Sequence, residues 1–367
     1  MKSIKILQGN CIDKIKELKD NSIDCVVSSP PYFGLRDYGT AQWQGGDPNC
    51  DHLGKPQPTR SNIHDRTQPQ CNNKKDVNVR EVFKDICKKC GAKRIDKQFG
   101  LEPTYQDYLA NTVRVFETFK PKLKDTATIW WNVGDSYNST NGFCRNKGKY
   151  KRKGRDGGSN DKKLIKNSII KEKDLMMIPN RVAISLQDAG WYIRSEIIWH
   201  KPNPMPESVR DRPTSCHEKI WLITKNKKYY YDSDAIREPL AASSLNRLNQ
   251  DIKNQKGSTR GNGGMKSNGN MKAVGNKETK NKRNVWTVTT KPCKEAHFAT
   301  FPKDLIEPCI KAGCPEGGVV LDPFGGSGTT GIVSALNNRN AILIELNQKY
   351  IDIANKRIDK ELGLFNK

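Results

Sequence analysis

The sequence predicts an α/β fold built on a mostly parallel sheet, and three observations lead there. Short apolar runs alternate with amphipathic helical segments along most of the chain. From residue 301 onward the order is helix, strand, glycine-rich turn, helix, strand, helix, which contains a βαβ unit with glycines in its first turn. The chain has 367 residues, enough for one large α/β core or two ordinary domains.

Taken in order, Lys5-Ile6-Leu7 reads as a short strand, and Ile12, Ile15 and Leu18 mark the helix after it. Asp24 to Ser28 is a second strand. It stops abruptly at Ser29-Pro30-Pro31-Tyr32, where two prolines without N–H groups cannot extend a ladder. The result is a stiff corner rich in hydrogen-bond acceptors. A helix is predicted from about Tyr105 to Lys120, with Tyr105, Leu109, Val113 and Phe116 on one face and Thr104 and Asp107 capping its start. "ATIWWNV" (127–133) follows as a buried strand. "PNRVAISLQDAG" (179–190) is a helix with proline at its start and Gly190 at its end. The strands "YIRSEIIWH" (192–200) and "KIWLIT" (219–224) flank a proline-rich connection. The terminal unit then runs through helix "FPKDLIEPCIKAG" (301–313), strand "GVVLDP" (318–323), turn "FGGSG" (324–328), helix "TTGIVSALNN" (329–338) and strand "NAILIEL" (340–346).

Two stretches stand apart from this pattern. Residues 142–174 hold twelve basic against four acidic residues, and 244–284 hold ten against two. Both are rich in Gly, Asn and Ser, a composition that does not offset the entropy of ordering, so both are expected to be mobile. The whole chain carries a formal charge of +24 with a pI near 9.5, which points to a polyanionic partner, nucleic acid above all. The first residues lack the long apolar stretch of a signal peptide, and no segment approaches the ~20 apolar residues of a membrane span. Eleven cysteines, an odd and scattered set, argue against a disulfide framework and for a reducing cytoplasm.

Asp322, Pro323, Phe324, Gly326 and Gly328 sit where a buried strand meets a helix. Glycines there let a ligand approach the backbone, and the helix start offers unpaired N–H groups. Seventeen residues after Gly328, Glu345 ends the next strand, where a carboxylate can accept hydrogen bonds from both ribose hydroxyls of a nucleotide-like ligand. "FGGSG" lacks the G-x-G-x-x-G spacing that cradles a pyrophosphate, and Phe324 would crowd one. A nucleoside without phosphates fits better, with S-adenosylmethionine the leading candidate.

Read together, Ser29-Pro30-Pro31-Tyr32 and Phe324-Gly325-Gly326-Ser327-Gly328 closely resemble the catalytic and cofactor motifs of the DNA amino-methyltransferases. These enzymes methylate N4 of cytosine or N6 of adenine, and catalytic motif first is the order of their beta group. The resemblance implies a Rossmann-like methyltransferase fold with helices on both faces of the sheet. It implies S-adenosyl-L-methionine as methyl donor and double-stranded DNA as partner, with a cognate restriction endonuclease as a further candidate. It also implies a bacterial or phage-encoded cytoplasmic enzyme. Ser29 Oγ and the Pro30 carbonyl would hold the amino hydrogens, Pro31 would help fix the corner, and Tyr32 would stack on an extruded base. Cofactor contacts are implied for Asp322, Phe324, Gly326, Ser327, Gly328 and Glu345, and for Phe298, Thr300 and Phe301 ahead of the turn. The family's acid after the first strand is replaced here by Asn10, an amide that can still accept from an amino group. Ser in the first motif position leans toward cytosine N4 and Asp toward adenine N6, while "NPMP" (203–206) resembles cell-cycle-type adenine enzymes. Cytosine N4 is therefore the first expectation and adenine N6 the alternative. Two rivals are an RNA methyltransferase on the same fold and a zinc-containing DNA-binding protein with a decayed core; intact motifs disfavour the second. The Pro-Cys pairs at Cys293 and Cys309 echo carbon-5 methyltransferases, but neither ends a buried strand.

Between the catalytic strand and the helix at Tyr105 lies a polar insertion with metal-ligand spacing. Cys87-x-x-Cys90-Gly91 is half of a zinc knuckle, and Cys50-x-His52 supplies two more candidate ligands, with Cys71 and His64 as alternates. The expected organisation is a catalytic-motif half (1–43), a Cys/His insertion (44–98), the rest of the catalytic half with the start of target recognition (99–240), a basic loop (241–284) and a cofactor-binding half (285–367).

Overall fold

The computed structural model describes residues 3–34, 42–53, 57–59, 77–79, 86–95, 98–138, 169–243, 245, 278–290 and 301–363. Contacts divide the chain into two units. One comprises Met1–Ser29, Phe116–Asn132 and Leu186–Lys367, and the other Pro30–Val115 and Val133–Ser185.

The first unit is organised by an eight-stranded sheet. Its strands are β1 (Ile4–Gln8), β2 (Ile23–Ser28), β3 (Leu123–Val133, whose last residue falls in the second unit), β4 (Tyr192–His200), β5 (His217–Thr224), β6 (Val285–Thr287), β7 (Val319–Asp322) and β8 (Asn340–Glu345). The order across the sheet is β1-β8-β7-β2-β3-β5-β4-β6. Pairing is parallel throughout from β1 to β3 and again between β4 and β6, and antiparallel between β4 and β5. The sequence alternation of strand and helix dictates this, because parallel neighbours need crossovers. Those crossovers include α1 (Cys11–Lys16), α2 (Tyr105–Phe119), α3 (Ile178–Asp188), α4 (Lys303–Gly313) and α5 (Thr329–Leu336); α6 (Gln348–Leu362) follows the last strand.

Burial follows position in the sheet. All six residues of β2 are buried, as expected of a central parallel strand covered on both faces, whereas edge strand β1 is only half-buried. Trp130 and Trp131 on β3 are fully buried. Trp130 joins a core with Cys25, Val27, Trp199, Ile310 and Val320. Trp131 meets the edge of Phe116 at 5.0 Å, and Phe116 in turn meets Trp191 at 5.3 Å. Trp191 donates its indole N–H to Glu117 Oε1 at 3.0 Å, so the aromatic cluster leaves that polar group satisfied. Cys309 is buried in α4, and burial pushes its thiol well up from its ordinary value, as befits a packing residue and not a nucleophile. Cys293 lies outside the described residues.

Three local features differ from the sequence expectation. β3 begins at Leu123 and not Ala127, because a short 3-10 turn at Lys120–Lys122 carries the chain straight from α2 into the strand. β6 was not foreseen; its three residues pair with β4 at Ile198–His200, opposite the glycine turn in strand order. The described ends of the two basic stretches are tied down and not free. Thr279–Lys280 pairs antiparallel with Glu238–Pro239, and Arg237 donates to Thr279 Oγ1 at 2.7 Å and to Asn281 Oδ1 at 3.0 Å. Ile170 is buried, and its carbonyl accepts from Asn138 Nδ2 at 2.8 Å. Residues 142–168 and 246–277 lie outside the described residues.

The second unit contains the N-terminal part of α2. Thr104 Oγ1 accepts from the Asp107 N–H at 3.1 Å and donates to the Asp107 carboxylate at 2.6 Å, the reciprocal cap that the sequence predicts. Two short antiparallel pairs belong to the insertion, Gln42–Gln44 with Lys93–Ile95 and Gln57–Thr59 with Val77–Val79. Among the described residues, no helix is long and apolar enough to cross a membrane.

Candidate active site

β1, β8, β7 and β2 are adjacent and parallel, so their carboxyl ends fall along one edge of the sheet. Asn10, Glu345, the turn from Asp322 to Gly328, and Ser29 therefore lie at the strand ends where open α/β sheets bind ligands. The glycine turn and Glu345 are legible as local pattern, while Asn10 and the role of Ser29 come from the family resemblance.

Asp322 braces this edge from inside. It is 2% exposed; its Oδ1 accepts from Ser28 Oγ at 2.6 Å and the Phe324 N–H at 3.0 Å, and its Oδ2 accepts from Thr330 Oγ1 at 2.6 Å. The carboxylate thus joins the end of β2 to the turn and to the start of α5. Burial raises its pKa from 3.8 to about 6, against the pull of these three donors.

The turn needs glycine at Gly328, which has φ +80° and an ideal Cβ direction only 3.0 Å from Ala354 Cβ. The Glu345 carboxylate accepts from the Gly326 N–H at 2.9 Å and from the Asn347 N–H at 2.8 Å. Burial raises the Glu345 pKa, and these backbone donors act in the opposite direction. Just after β1, the Gly9 N–H donates to the Glu345 carbonyl at 2.9 Å, and Asn10 Oδ1 caps α1 by accepting from the Ile12 N–H at 3.0 Å. Ser327 is buried, and Arg357 of α6 donates to its carbonyl at 2.6 Å, to its hydroxyl at 2.7 Å and to Thr329 Oγ1 at 3.1 Å. The Phe324 ring meets the edge of Trp131 at 6.0 Å. Phe301 packs against the core, while Phe298 and Thr300 lie outside the described residues.

In the second unit, Pro30 is buried while Pro31 and Tyr32 are half-buried. The hydroxyl of the fully buried Tyr108 donates to the Pro31 carbonyl at 3.3 Å, and Phe33 and Phe99 pack on the Tyr108 ring at 5.6 and 4.9 Å. The Tyr32 ring lies across Gly134, where a Cβ would come within 2.5 Å of Cε2. The corner is stiff because prolines set its torsions and an aromatic cluster backs it.

Sequence reading missed Ser28, Thr330, Arg357, Tyr108 and Gly134. Arg357 carried a signal, since it continues the buried stripe of Ile351 and Ala354 at three-residue spacing. A buried guanidinium must find acceptors, and here they belong to the turn.

The insertion brings together four predicted ligands. Cys50, His52, Cys87 and Cys90 offer ligand atoms that all lie within 4.8 Å of one another. The alternates His64 and Cys71 lie outside the described residues.

A glycine turn answered by a strand-end acid, with Ser29 at the end of a neighbouring strand, suits a nucleoside-type methyl donor, and the class is an S-adenosylmethionine-dependent amino-methyltransferase. The chain belongs to the DNA methylase family N6_N4_Mtase, whose family model matches residues 23–356. It is 35% identical over 365 residues to the type II methyltransferase M.Cfr9I of Citrobacter freundii, covering 97% of this chain and 88% of that protein. It is also 35% identical to the type II methyltransferase M.SmaI of Serratia marcescens, covering 98% and 91%. Among solved structures, PvuII DNA methyltransferase (cytosine-N4-specific) shares the fold with a TM-score of 0.56 at 15% identity, covering 99% of this chain and 92% of that one. The protein TTHA0409 of Thermus thermophilus, solved with S-adenosyl-L-methionine, matches with a TM-score of 0.50 at 16% identity, covering 98% and 96%.

Proposed function

We propose that the protein transfers a methyl group from S-adenosylmethionine to the exocyclic N4 of cytosine in double-stranded DNA, at a specific site. The observation that carries the choice of base is Ser29, a neutral hydroxyl at the first position of the catalytic corner.

The chemistry asks for positioning more than for a strong base. An exocyclic amino nitrogen is a poor nucleophile because its lone pair is delocalised into the ring. Ser29 Oγ and the Pro30 carbonyl accept the two amino hydrogens and so turn the lone pair out of the ring plane. Tyr32 stacks on the base once it leaves the duplex. S-adenosylmethionine supplies the methyl as an electrophile on a sulfonium. The nitrogen lone pair forms the new C–N bond, the S–C bond breaks with its electrons returning to sulfur, and the surplus amino proton passes to solvent. Glu345, whose carboxylate also accepts from the Gly326 and Asn347 N–H groups, would hold the ribose hydroxyls and the Gly326–Gly328 backbone would accommodate the nucleoside, while Asp322 and Arg357 keep that turn in shape.

DNA from a host expressing the chain, sequenced for both modified bases, tests this reading. Cytosine N4 methylation at one short sequence is expected. Adenine N6 methylation would transfer the same mechanism to the other base, and methyl transfer to RNA but not duplex DNA would overturn the substrate assignment. A cognate endonuclease cutting the same unmethylated sequence belongs with this reading and is sought in the neighbouring gene products.

A further inference from the structure

The four ligand atoms in the insertion lie within 4.8 Å of one another, and two of their separations match those around a tetrahedral ion. Zinc bonded to thiolate at ~2.3 Å and to imidazole at ~2.05 Å places tetrahedral S···S pairs about 3.8 Å apart and S···N pairs about 3.6 Å apart. Cys50 Sγ and Cys87 Sγ stand 3.7 Å apart, and Cys90 Sγ stands 3.6 Å from His52 Nδ1. A disulfide would need the two sulfurs at about 2.05 Å, so the cysteines are free thiols with room for an ion between them.

The backbone is shaped around these side chains. The Cys87 N–H donates to Ala92 O and the Gly91 N–H to Cys87 O, both at 2.8 Å, closing a tight turn that aims both Cys-x-x-Cys sulfurs to one side. Gly46 sits where a Cβ would fall 2.8 Å from Cys90 Sγ, so only glycine lets that loop reach the thiolate. His52 holds φ +51°, a left-handed conformation unusual for a residue with a side chain, and its ring stacks on Trp43 at 4.3 Å. Strain at His52 persists only where the surroundings determine it.

The energetics also ask for a metal. Among residues 43–53 and 86–95, only Cys87 and Ala92 are buried, and Ile86 is 59% exposed. Besides these two side chains, the segments are joined by one three-residue antiparallel pair and the exposed Lys89–Asp51 ion pair, which is little for segments whose cysteines are 37 residues apart in sequence. An ion that binds folded ligands and releases their protons contributes its binding free energy to folding.

We infer that Cys50, His52, Cys87 and Cys90 bind one structural zinc ion, which fastens the base of the insertion that follows the catalytic corner. All four positions are filled by protein, so the ion has no open site for a substrate and its part is mechanical.

The test is metal content of the full chain, purified without added zinc and without chelators. About one equivalent of zinc per chain is expected, released only when a thiol reagent or a strong chelator takes the ligands or the ion away. Cobalt exchanged into the protein should give the intense visible absorption of a tetrahedral thiolate site. Cys87→Ser and Cys90→Ser should each lose the metal and become more readily cleaved by protease within residues 44–98, while Cys71→Ser and His64→Ala keep it. Absence of zinc together with failure to take up cobalt overturns the inference. Retention of zinc in Cys50→Ser with its loss in Cys71→Ser overturns this ligand set. The cobalt spectrum of the unaltered chain decides the matter even if a cysteine variant fails to fold.

Discussion

Asp322 is buried, which outweighs the three hydrogen bonds its carboxylate accepts, and the consequence is a defined pH dependence. Its carboxyl, raised by burial from 3.8 to about 6, binds a proton more readily in the folded chain than in the unfolded one across that window. Its contribution to stability is therefore complete below the lower value and is lost as pH rises through the upper one, by at most about 3 kcal/mol. Asp322→Asn removes that slope. The unfolding free energy of the wild type relative to the variant should fall between about pH 4 and pH 6.5, and denaturant titrations at a series of pH values measure it. At the Ser-Pro-Pro-Tyr corner, Tyr32→Ala removes the ring proposed to stack on the base, worth about 1–3 kcal/mol for a base on an aromatic platform. A loss of about five- to 150-fold in methylation rate is expected with cofactor affinity unchanged; a variant with full activity would contradict the positioning account.

α6 acts on the site through Arg357, whose guanidinium holds Ser327 and Thr329. Hydrogen bonds to charged groups are worth about 1.5–3 kcal/mol, so Arg357→Met should raise the KM for S-adenosylmethionine about tenfold or more, with a smaller change in kcat. Arg357→Lys should recover only part of this, because an ammonium cannot keep the planar guanidinium geometry. Steady-state kinetics in cofactor concentration separate the two parameters. At the start of α2, Thr104→Ala removes the cap and should cost about 1 kcal/mol, read as a lowered Tm with the cofactor KM unchanged. That cap was legible in the sequence because both partners lie three residues apart. The glycine turn, Glu345 and the Ser-Pro-Pro-Tyr corner were legible for the same reason, each being a local pattern at a strand end. Ser28 and Asp322 are 294 residues apart, and nothing local joins them. Arg357 showed only as a charged residue continuing the buried stripe of its helix, with its partners thirty residues away, and β6 was too short to show a period of its own. Pattern reached the residues that would touch ligand, while the ones that brace them from behind needed the fold.

At the scale of the whole molecule the charge of +24 sets the terms of DNA binding. Each phosphate neutralised by lysine or arginine releases counterions, so affinity for duplex DNA of arbitrary sequence should fall steeply with salt, by about a thousandfold or more between 50 and 200 mM for six or more phosphate contacts. Fluorescence anisotropy across a salt series reads that slope. Such contacts carry no sequence information, so the slope speaks to the partner and not to the reaction. The reaction is tested most directly by supplying S-adenosylmethionine with a deuterated methyl group to the purified chain and unmodified duplex DNA, then digesting to nucleosides for mass spectrometry. The account predicts the label on N4-methylcytosine, and less of it in Pro30→Ala, which keeps the accepting carbonyl but loses the ring that fixes its direction. Label on N6-methyladenine instead, or DNA that is bound but carries no label, would contradict it.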